Sequence, residues 1–600
     1  MRAVRHIAAL SGALLGLVAG SNCMPAVAED SWSPFKTNSE QGPHASETAA
    51  PQPALAPQAP SPVPPEPMRG LAPAPVAQPR PPWVSPRGGS VERSELAPIM
   101  APDGSGLPLE PWRGLDLKAV EELLGGLELP PRSPAVHQLW RRLLLAAAAP
   151  PAGSPTEEHF VALRLEALYR SGLLSDMEAV LRQTALSGPV VLMLRARRDI
   201  GLGRRESGCR AIAGLAAPSS GLPGRLKGEM QLLSGYCAAA GGDAQAAALA
   251  VELAREEGVE AELPLAVLTG FAEGTKPKLT LPRRVLLLDY RFLELLGPVN
   301  VAQVFDRAEP ALISALAADT ELSSRVRIAA AEAALSFNAL APERMAEVYR
   351  GTSLAGADPA VTTADPALRH ALYFQAIEAA RPATQKARFL RAILEDARRR
   401  GAHLQMARVL APFIADLAIT PDAFWFAETA LETELIAGRF DLARRWAEAA
   451  NLRAWLALID VADPARRGGR LASLAPIAEL AQGGRLGGET LQRLATVLGA
   501  LDIDVPVGLW DAANRAPQPA SGHLPETGVL AELAQAGERA DAARVILFLM
   551  RALGPAGPEG ANLLALGDGV RALRRVGLET DARQLALEAL VAVWPRMAAN

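Results

Sequence analysis

The 600-residue chain is poor in aromatic residues and has three cysteines and seven histidines. Aromatic side chains are 4% of the sequence, which leaves few stacking platforms for sugars or single-stranded nucleic acid. Lysine is scarce beside arginine and the net charge is -4, so nothing drives the chain electrostatically toward DNA, RNA or anionic lipid. Nucleic acid is therefore not an expected partner. Cys23, Cys209 and Cys237 form no CxxC pair and no cysteine metal cluster. The motifs H-E-x-x-H, G-x-S-x-G and G-x-x-x-x-G-K-[ST] are absent. His44, His137, His159, His370, His403 and His523 are scattered, with no pair at helix-face spacing for a metal ion. The expectation is a non-enzymatic protein without catalytic, cofactor-binding or metal-binding residues and without a cofactor.

The N-terminus reads as a secretory signal. Arg2, Arg5 and His6 make a basic start, and Ala26-Val27-Ala28 supplies an A-x-A cleavage pattern at Ala26 and Ala28. The apolar run between them is about 14 residues, short of the ~20 needed to span a bilayer. An uncleaved anchor is the alternative. Gly20 and Asn22 depart from a lipobox before Cys23, which argues against lipidation. No later stretch is apolar enough to cross a membrane. Removing Arg2 and Arg5 with the leader makes the remainder two charges more negative. Abundant alanine and scarce lysine fit a GC-rich bacterial genome, so the expected location is periplasmic or secreted.

Between residues 29 and 110 lie 19 of the 50 prolines. Runs such as Pro60-Ser-Pro62-Val-Pro64-Pro65 cannot form helix or a paired strand, and little apolar surface offsets the entropy of ordering. This stretch is expected to be a disordered Pro/Ala-rich arm. Pro111-Trp112 reads either as a docking motif or as linker.

Beyond the arm, helix signals are dense and strand-like alternation is nearly missing. Val190-Val191-Leu192 reads better as helix. Asp116, Ser133-Pro134, Asp365-Pro366 and Thr420-Pro421 are cap or cap-then-proline devices, and Ser154-Pro-Thr-Glu157 and Ser175-Asp-Met-Glu178 are capping boxes. Phe424, Ala427, Leu431 and Leu435 share a helical face that leaves Glu428 and Glu432 off it. Cys209 and Cys237, 28 apart on neighbouring helices, suit either a disulfide in an oxidising compartment or two small buried residues.

One local pattern returns: a helix, a glycine, an apolar residue, an alanine five on, then a second helix. It stands as Gly438-Arg-Phe440-Asp-Leu-Ala443 and Gly577-Leu-Glu579-Thr-Asp-Ala582, with looser copies at Gly241…Ala246 and Gly537…Ala542. Glycine lets the chain leave a helix through a left-handed residue, and alanine lets the next helix pack back closely. Hairpins of this kind bury their faces by stacking. The expected fold is all-α: an α-solenoid of stacked helical hairpins, roughly twenty helices in about ten hairpins. Each hairpin would contact only its neighbours, in an open arc on the order of 100 Å.

The Gly438, Phe440, Ala443 unit, with Ala450 further on, resembles the centre of a tetratricopeptide (TPR) repeat, as does Leu233, Cys237, Gly241, Ala246. The resemblance implies a superhelix whose concave face holds peptides or protein surfaces. The 34-residue period of that family is not kept, so no peptide-clamp residue is carried over. The layout is also similar to that of exported helical-repeat proteins of GC-rich bacteria. Breaks at Gly274 to Pro277, Gly351 to Asp365 and Ala516 to Gly522 suggest a division into 1–28 signal, 29–110 arm, 111–274 and 275–515 repeat segments, and 516–600 C-terminal hairpins.

Paired acids at Glu121-Glu122, Glu157-Glu158 and Glu256-Glu257 read as surface residues in first or last helical turns. Arg398-Arg399-Arg400 before Gly401 reads as a helix C-terminal cap on the negative dipole end. Soluble lytic transglycosylases join a helical superhelix to a lysozyme-like domain, but their Gly-Leu-Met-Gln turn is absent and Glu206-Ser207 lacks that context. The expected function is a periplasmic scaffold or adaptor that binds a protein partner of the cell envelope. An envelope hydrolase with a site between distant hairpins, and a structural spacer, are the alternatives.

Overall fold

The computed structural model describes Met100 and residues 105–596, apart from 185–186, 216–221, 223, 354–364, 467–468, 518 and 520–521. The signal with Ala26 and Ala28, Cys23, nearly all of the proline-rich arm and most of the 351–365 break lie outside the described residues. The described chain is built from 28 α-helices. These are more numerous and shorter than helix periodicity suggested. Among the described residues, extended segments meet only as isolated bridges, such as His523 with Ala561. Among the described residues no helix is long and apolar enough to cross a membrane.

Consecutive helices pack on each other as hairpins: Pro189–Gly201 on Arg205–Leu215, Gly224–Ala240 on Ala244–Glu256, Pro310–Ala318 on Ser324–Ser336, and Ala427–Ile436 on Phe440–Ala449. Each second helix presents a narrow apolar stripe. Phe440–Ala449 buries Ala443, Trp446 and Ala447, and Phe440 packs half-buried against the same core. Withdrawing Trp446 from water removes roughly 200 Å² and contributes at most about 5 kcal/mol. Asp116, Ser133, Asp243 and Asp365 cap their helices through side-chain oxygens. The two capping boxes are not formed as expected. Thr156, not Ser154, accepts from His159 N, because the Ser154 hydroxyl donates to the Pro151 carbonyl. The helix Leu174–Gln183 already includes Ser175.

The repeated turn has a consistent register. Gly438 (φ 76°) and Gly577 (φ 81°) are left-handed, with Ala443 and Ala582 fully buried five residues on. In each, the following amide closes the helix with a bond six residues wide, Arg439 N to Glu434 O and Leu578 N to Leu573 O. At the looser copies the left-handed residue is Gly242, not Gly241, and Ala540, not Gly537. Buried Ala247 therefore takes the place expected for Ala246, which is exposed. Gly537 serves a different purpose: a Cβ there would stand 3.2 Å from Ala572 Cα, so two helices meet at it. Ala542 is buried.

The superhelix is not open. The helix Pro134–Leu145 packs against Ala542–Leu553 and Glu579–Val591 near the other end of the chain. The last helix, Glu579–Val591, also contacts Arg453–Ala462, Gly488–Ala500 and Leu563–Arg575. It is buried on all sides, as a helix at the centre of a fold must be. Its polar residues reach the free ends of other helices. Glu588 accepts from Ser133 Oγ (2.5 Å) and Ala135 N (2.8 Å) at the start of Pro134–Leu145. Arg583 donates to the Val461 carbonyl (2.8 Å) at the end of Arg453–Ala462. Both charges match the helix-dipole ends they meet. Gln405 and Asn338 clamp the Arg132 carbonyl from the middle of the chain. Buried apolar residues consequently form one contiguous cluster from Leu107 to Trp594. The neighbour-only, 100 Å arc is corrected by these contacts. Packing also begins before residue 111: Leu107 is fully buried, and Trp112 packs edge-on against Phe160 at 5.2 Å.

Candidate functional site

The repeats place several charged side chains inside the fold. The largest group joins four helices. Glu332 comes from Ser324–Ser336, Tyr349 from Pro342–Arg350, His370 from Pro366–Ala379 and Asp396 from Ala383–Arg399. His370 Nδ1 lies 3.0 Å from Glu332 Oε1 and its Nε2 lies 2.8 Å from Asp396 Oδ2. Tyr349 donates to Glu332 at 2.7 Å. Arg400 donates to Glu332 Oε2 at 3.0 Å, and Arg399 donates to Asp396 Oδ1 at 2.9 Å. Burial pushes the Glu332 carboxyl up, but the His370 bond, the charges of His370 and Arg400 and the Tyr349 hydroxyl outweigh it and hold it below its ordinary value.

A second group surrounds Glu432 on Ala427–Ile436. Arg398 donates to it at 2.6 Å, Arg596 at 2.5 and 3.0 Å, and His403 Nε2 lies 3.3 Å away. Burial again opposes the charge, but His403 and Arg596 prevail and hold the carboxyl far below the usual range. The third is Glu588, where burial wins over Ser133, Arg408 and Ala135 and pushes the carboxyl up to about 7. Near the N-terminal end, Arg197 bridges Glu166 and Glu229 and lies over the Tyr169 ring at 4.2 Å.

These groups revise three sequence readings. The Arg398-Arg399-Arg400 run holds Glu432, Asp396 and Glu332 and is not simply a dipole cap. Glu432, expected off the buried face, is fully buried, because Arg398, His403 and Arg596 close over that side. His370 and His403, expected to be ordinary helical residues, are buried in charge clusters. Glu121 does pair with His159 at 2.9 Å near the surface. Cys209 and Cys237 are joined by a disulfide with Cα atoms 5.6 Å apart.

Chemically, a histidine between two carboxylates has the components of a general acid–base site. Here the carboxylate oxygens are occupied by arginine and tyrosine donors, which is how buried charges are ordinarily stabilised. Two surface clefts lie elsewhere. One, of about 430 Å³, is lined by residues such as Arg255, Glu262 and Thr269. The other, of about 200 Å³, opens between Gly126–Val136 and Met550–Gly557. Neither is lined by Glu332, His370, Asp396 or Glu432. Among the described residues no group of His, Cys, Asp and Glu is arranged to hold a metal ion.

No family model, curated protein or solved structure matches the chain. Its function is therefore argued from its own surface and interior.

The surface carries large apolar side chains that sequence reading did not separate from the core. The helix Val507–Arg515 buries Leu509, Ala512 and Ala513. It leaves Val507 76% and Trp510 52% exposed, three residues apart on one face. Phe424 and Trp425 stand exposed on the 3-10 turn Pro421–Phe426, with Arg391 over the Trp425 ring at 5.9 Å. Phe424, expected on the buried face of the following helix, belongs to this turn instead.

Proposed function

We propose that the protein is a TPR-like helical-repeat scaffold of the cell envelope that binds a protein partner through its outer surface. The observation that carries this reading is the Val507/Trp510 face. A tryptophan left in water on an ordered helix is a typical anchor of a protein interface, and Val507 extends its apolar surface. Partner binding is assigned to the outside because the protein's own last helix, Glu579–Val591, lies at the centre. The Cys209–Cys237 disulfide supports an oxidising, extracytoplasmic location, as does the signal-like N-terminus. The hydrolase alternative lacks a comparable support, since the Glu332–His370–Asp396 group is held by arginines and lines neither cleft.

The test is in-cell crosslinking of the tagged protein beside a Val507→Ser/Trp510→Ser variant. The expected result is a discrete set of envelope proteins caught by the wild type and lost by the variant. Identical capture by both, or none by either, would contradict the proposal.

A further inference from the structure

The 200 Å³ cleft is formed where the two ends of the described chain meet. One wall is the segment from Gly126 to Ser133 and the first turn of Pro134–Leu145. The opposite wall is the end of Ala542–Leu553 and the turn that follows it. His523 closes a third side, fixed by backbone bonds from its N to Gly560 O (2.8 Å) and from Asn562 N to its O (3.0 Å). Two glycines allow this close approach. Gly554 has φ +71°, and a Cβ there would come within 2.5 Å of the His523 ring; Gly557 has φ +65°, and its Cβ would come within 2.8 Å of Ser133 Cβ.

The cleft has an apolar side and a cationic side. Leu127, Val136, Met550 and Leu553 supply the first. Arg132 and Arg551 supply the second, against the single carboxylate of Glu128. Elsewhere arginines at packed positions hold carboxylates, as Arg197, Arg398, Arg400 and Arg596 do. Among the described residues, neither Arg132 nor Arg551 has a side-chain hydrogen bond or ion pair. The Arg132 backbone is fixed from inside by Asn338 and Gln405, so the exposed side chain starts from an anchored point on the cleft wall. The Ser133 hydroxyl is spent on Glu588. Two unpaired guanidinium groups beside an apolar wall match an anionic head on an apolar body.

We infer that this cleft binds a small organic anion, of roughly ten non-hydrogen atoms, with its carboxylate or phosphate head between Arg132 and Arg551 and its apolar body against Leu127, Val136, Met550 and Leu553. The site does not depend on the scaffold reading or on the outer Val507/Trp510 face.

The experiment is titration of the full protein with benzoate, phenyl phosphate, benzamide and inorganic phosphate, followed by calorimetry and ligand-observed NMR. Benzoate or phenyl phosphate should bind saturably. Benzamide, which lacks the charge, and inorganic phosphate, which lacks the apolar body, should each bind at least about tenfold more weakly. Either order of benzoate and phenyl phosphate supports the site and shows which head it prefers. Arg132→Gln and Arg551→Gln should each weaken binding about five- to tenfold, whereas Arg445→Gln on a different helix should not. Circular dichroism and the melting temperature of each variant show whether it is folded. The inference is overturned if benzamide equals benzoate, if both arginine variants bind as the wild type does, or if no probe saturates by roughly 10 mM.

Discussion

The helices Ala244–Glu256 and Glu579–Val591 follow the same kind of turn and have the same length, yet they occupy opposite environments. The first buries four of its thirteen residues, Ala247, Ala250, Val251 and Ala254. The second buries ten of thirteen, including Asp581, Arg583 and Glu588. A left-handed residue and a small or apolar residue five positions on therefore set up a hairpin, but they do not decide how deeply it is buried. Depth is decided by which helices from distant parts of the chain arrive afterwards. Among the described residues the outer helix packs chiefly on its neighbours Gly224–Ala240 and Glu262–Glu273. At the last helix the first, middle and preceding parts of the chain all converge.

The contrast should be largest between equivalent charges on the two helices. Glu588→Ala removes the acceptor of the Ser133 hydroxyl and of Ala135 N, while Ser133 Oγ still accepts from Val136 N, and leaves Arg408 without its nearest carboxyl group. It should cost about 2–4 kcal/mol of unfolding free energy at pH 6, where the carboxyl is largely protonated and the loss comes from its hydrogen bonds and the space it fills. Glu252→Ala, an exposed partner of Arg255 on the outer helix, should change stability by no more than about 0.5 kcal/mol. Denaturant titration of both variants checks the pair, and equal losses would remove the distinction.

The outer hairpins have a covalent tie in place of deep burial. Cys209 and Cys237 close a 28-residue separation, so Cys237→Ser should lower stability by about 3–4 kcal/mol in the chain-entropy description. Proteolysis should then begin around residues 205–256 and leave the C-terminal helices intact. Cleavage starting at the C-terminus would reverse the comparison.

The pH dependence separates two kinds of buried carboxyl. Burial raises the Glu588 carboxyl from 4.5 to about 7, so the folded state holds the proton more tightly than the unfolded chain. Its stabilising contribution is complete below about pH 4.5 and is lost as pH rises through about 7, up to about 3 kcal/mol. Glu588→Gln should flatten that fall. Glu432 and Glu332 have lowered carboxyls, so their contribution is present above about pH 4.5 and disappears as pH falls further. Stability curves of wild type and Glu588→Gln between pH 4 and 8 should differ at the neutral end. Parallel curves would contradict the assignment of the raised group.

The smallest effect concerns the turns alone. Ala540 adopts φ 58° without the freedom of glycine, and Gly577 adopts φ 81°. Ala540→Gly should stabilise by about 1 kcal/mol and Gly577→Ala should destabilise by a similar amount. Thermal melts with shifts of the same sign would show that packing, not backbone conformation, governs these positions.

Local chemistry made much of this fold readable. Asp116, Ser133-Pro134 and Asp365-Pro366 mark helix starts through their own side chains and neighbours, and Gly438 and Gly577 mark turns through φ. The shift from Gly241 to Gly242 was hidden because two adjacent glycines satisfy the same pattern, and Ala540 because alanine seldom takes that conformation. The charge clusters were not readable. Glu432 and Glu588 sit in sequence among apolar residues and charges much as a solvated helical glutamate does. What buries them, Arg596 and Ser133, lies 164 and 455 residues away. Superhelix closure is likewise a sum of long-range contacts that no local period encodes. The exposed Trp510 shares its helical setting with core tryptophans such as Trp446, and what distinguishes them is that no helix among the described residues covers it.

The most direct test of the central claim, that Glu579–Val591 is the buried axis on which the superhelix closes, is native-state hydrogen exchange of the intact protein. Amides of 579–591 should exchange only through global unfolding, at the same free energy as those of 134–145 and 453–462, while 244–256 opens at lower free energy. Exchange of 579–591 as fast as that of 244–256 would contradict it.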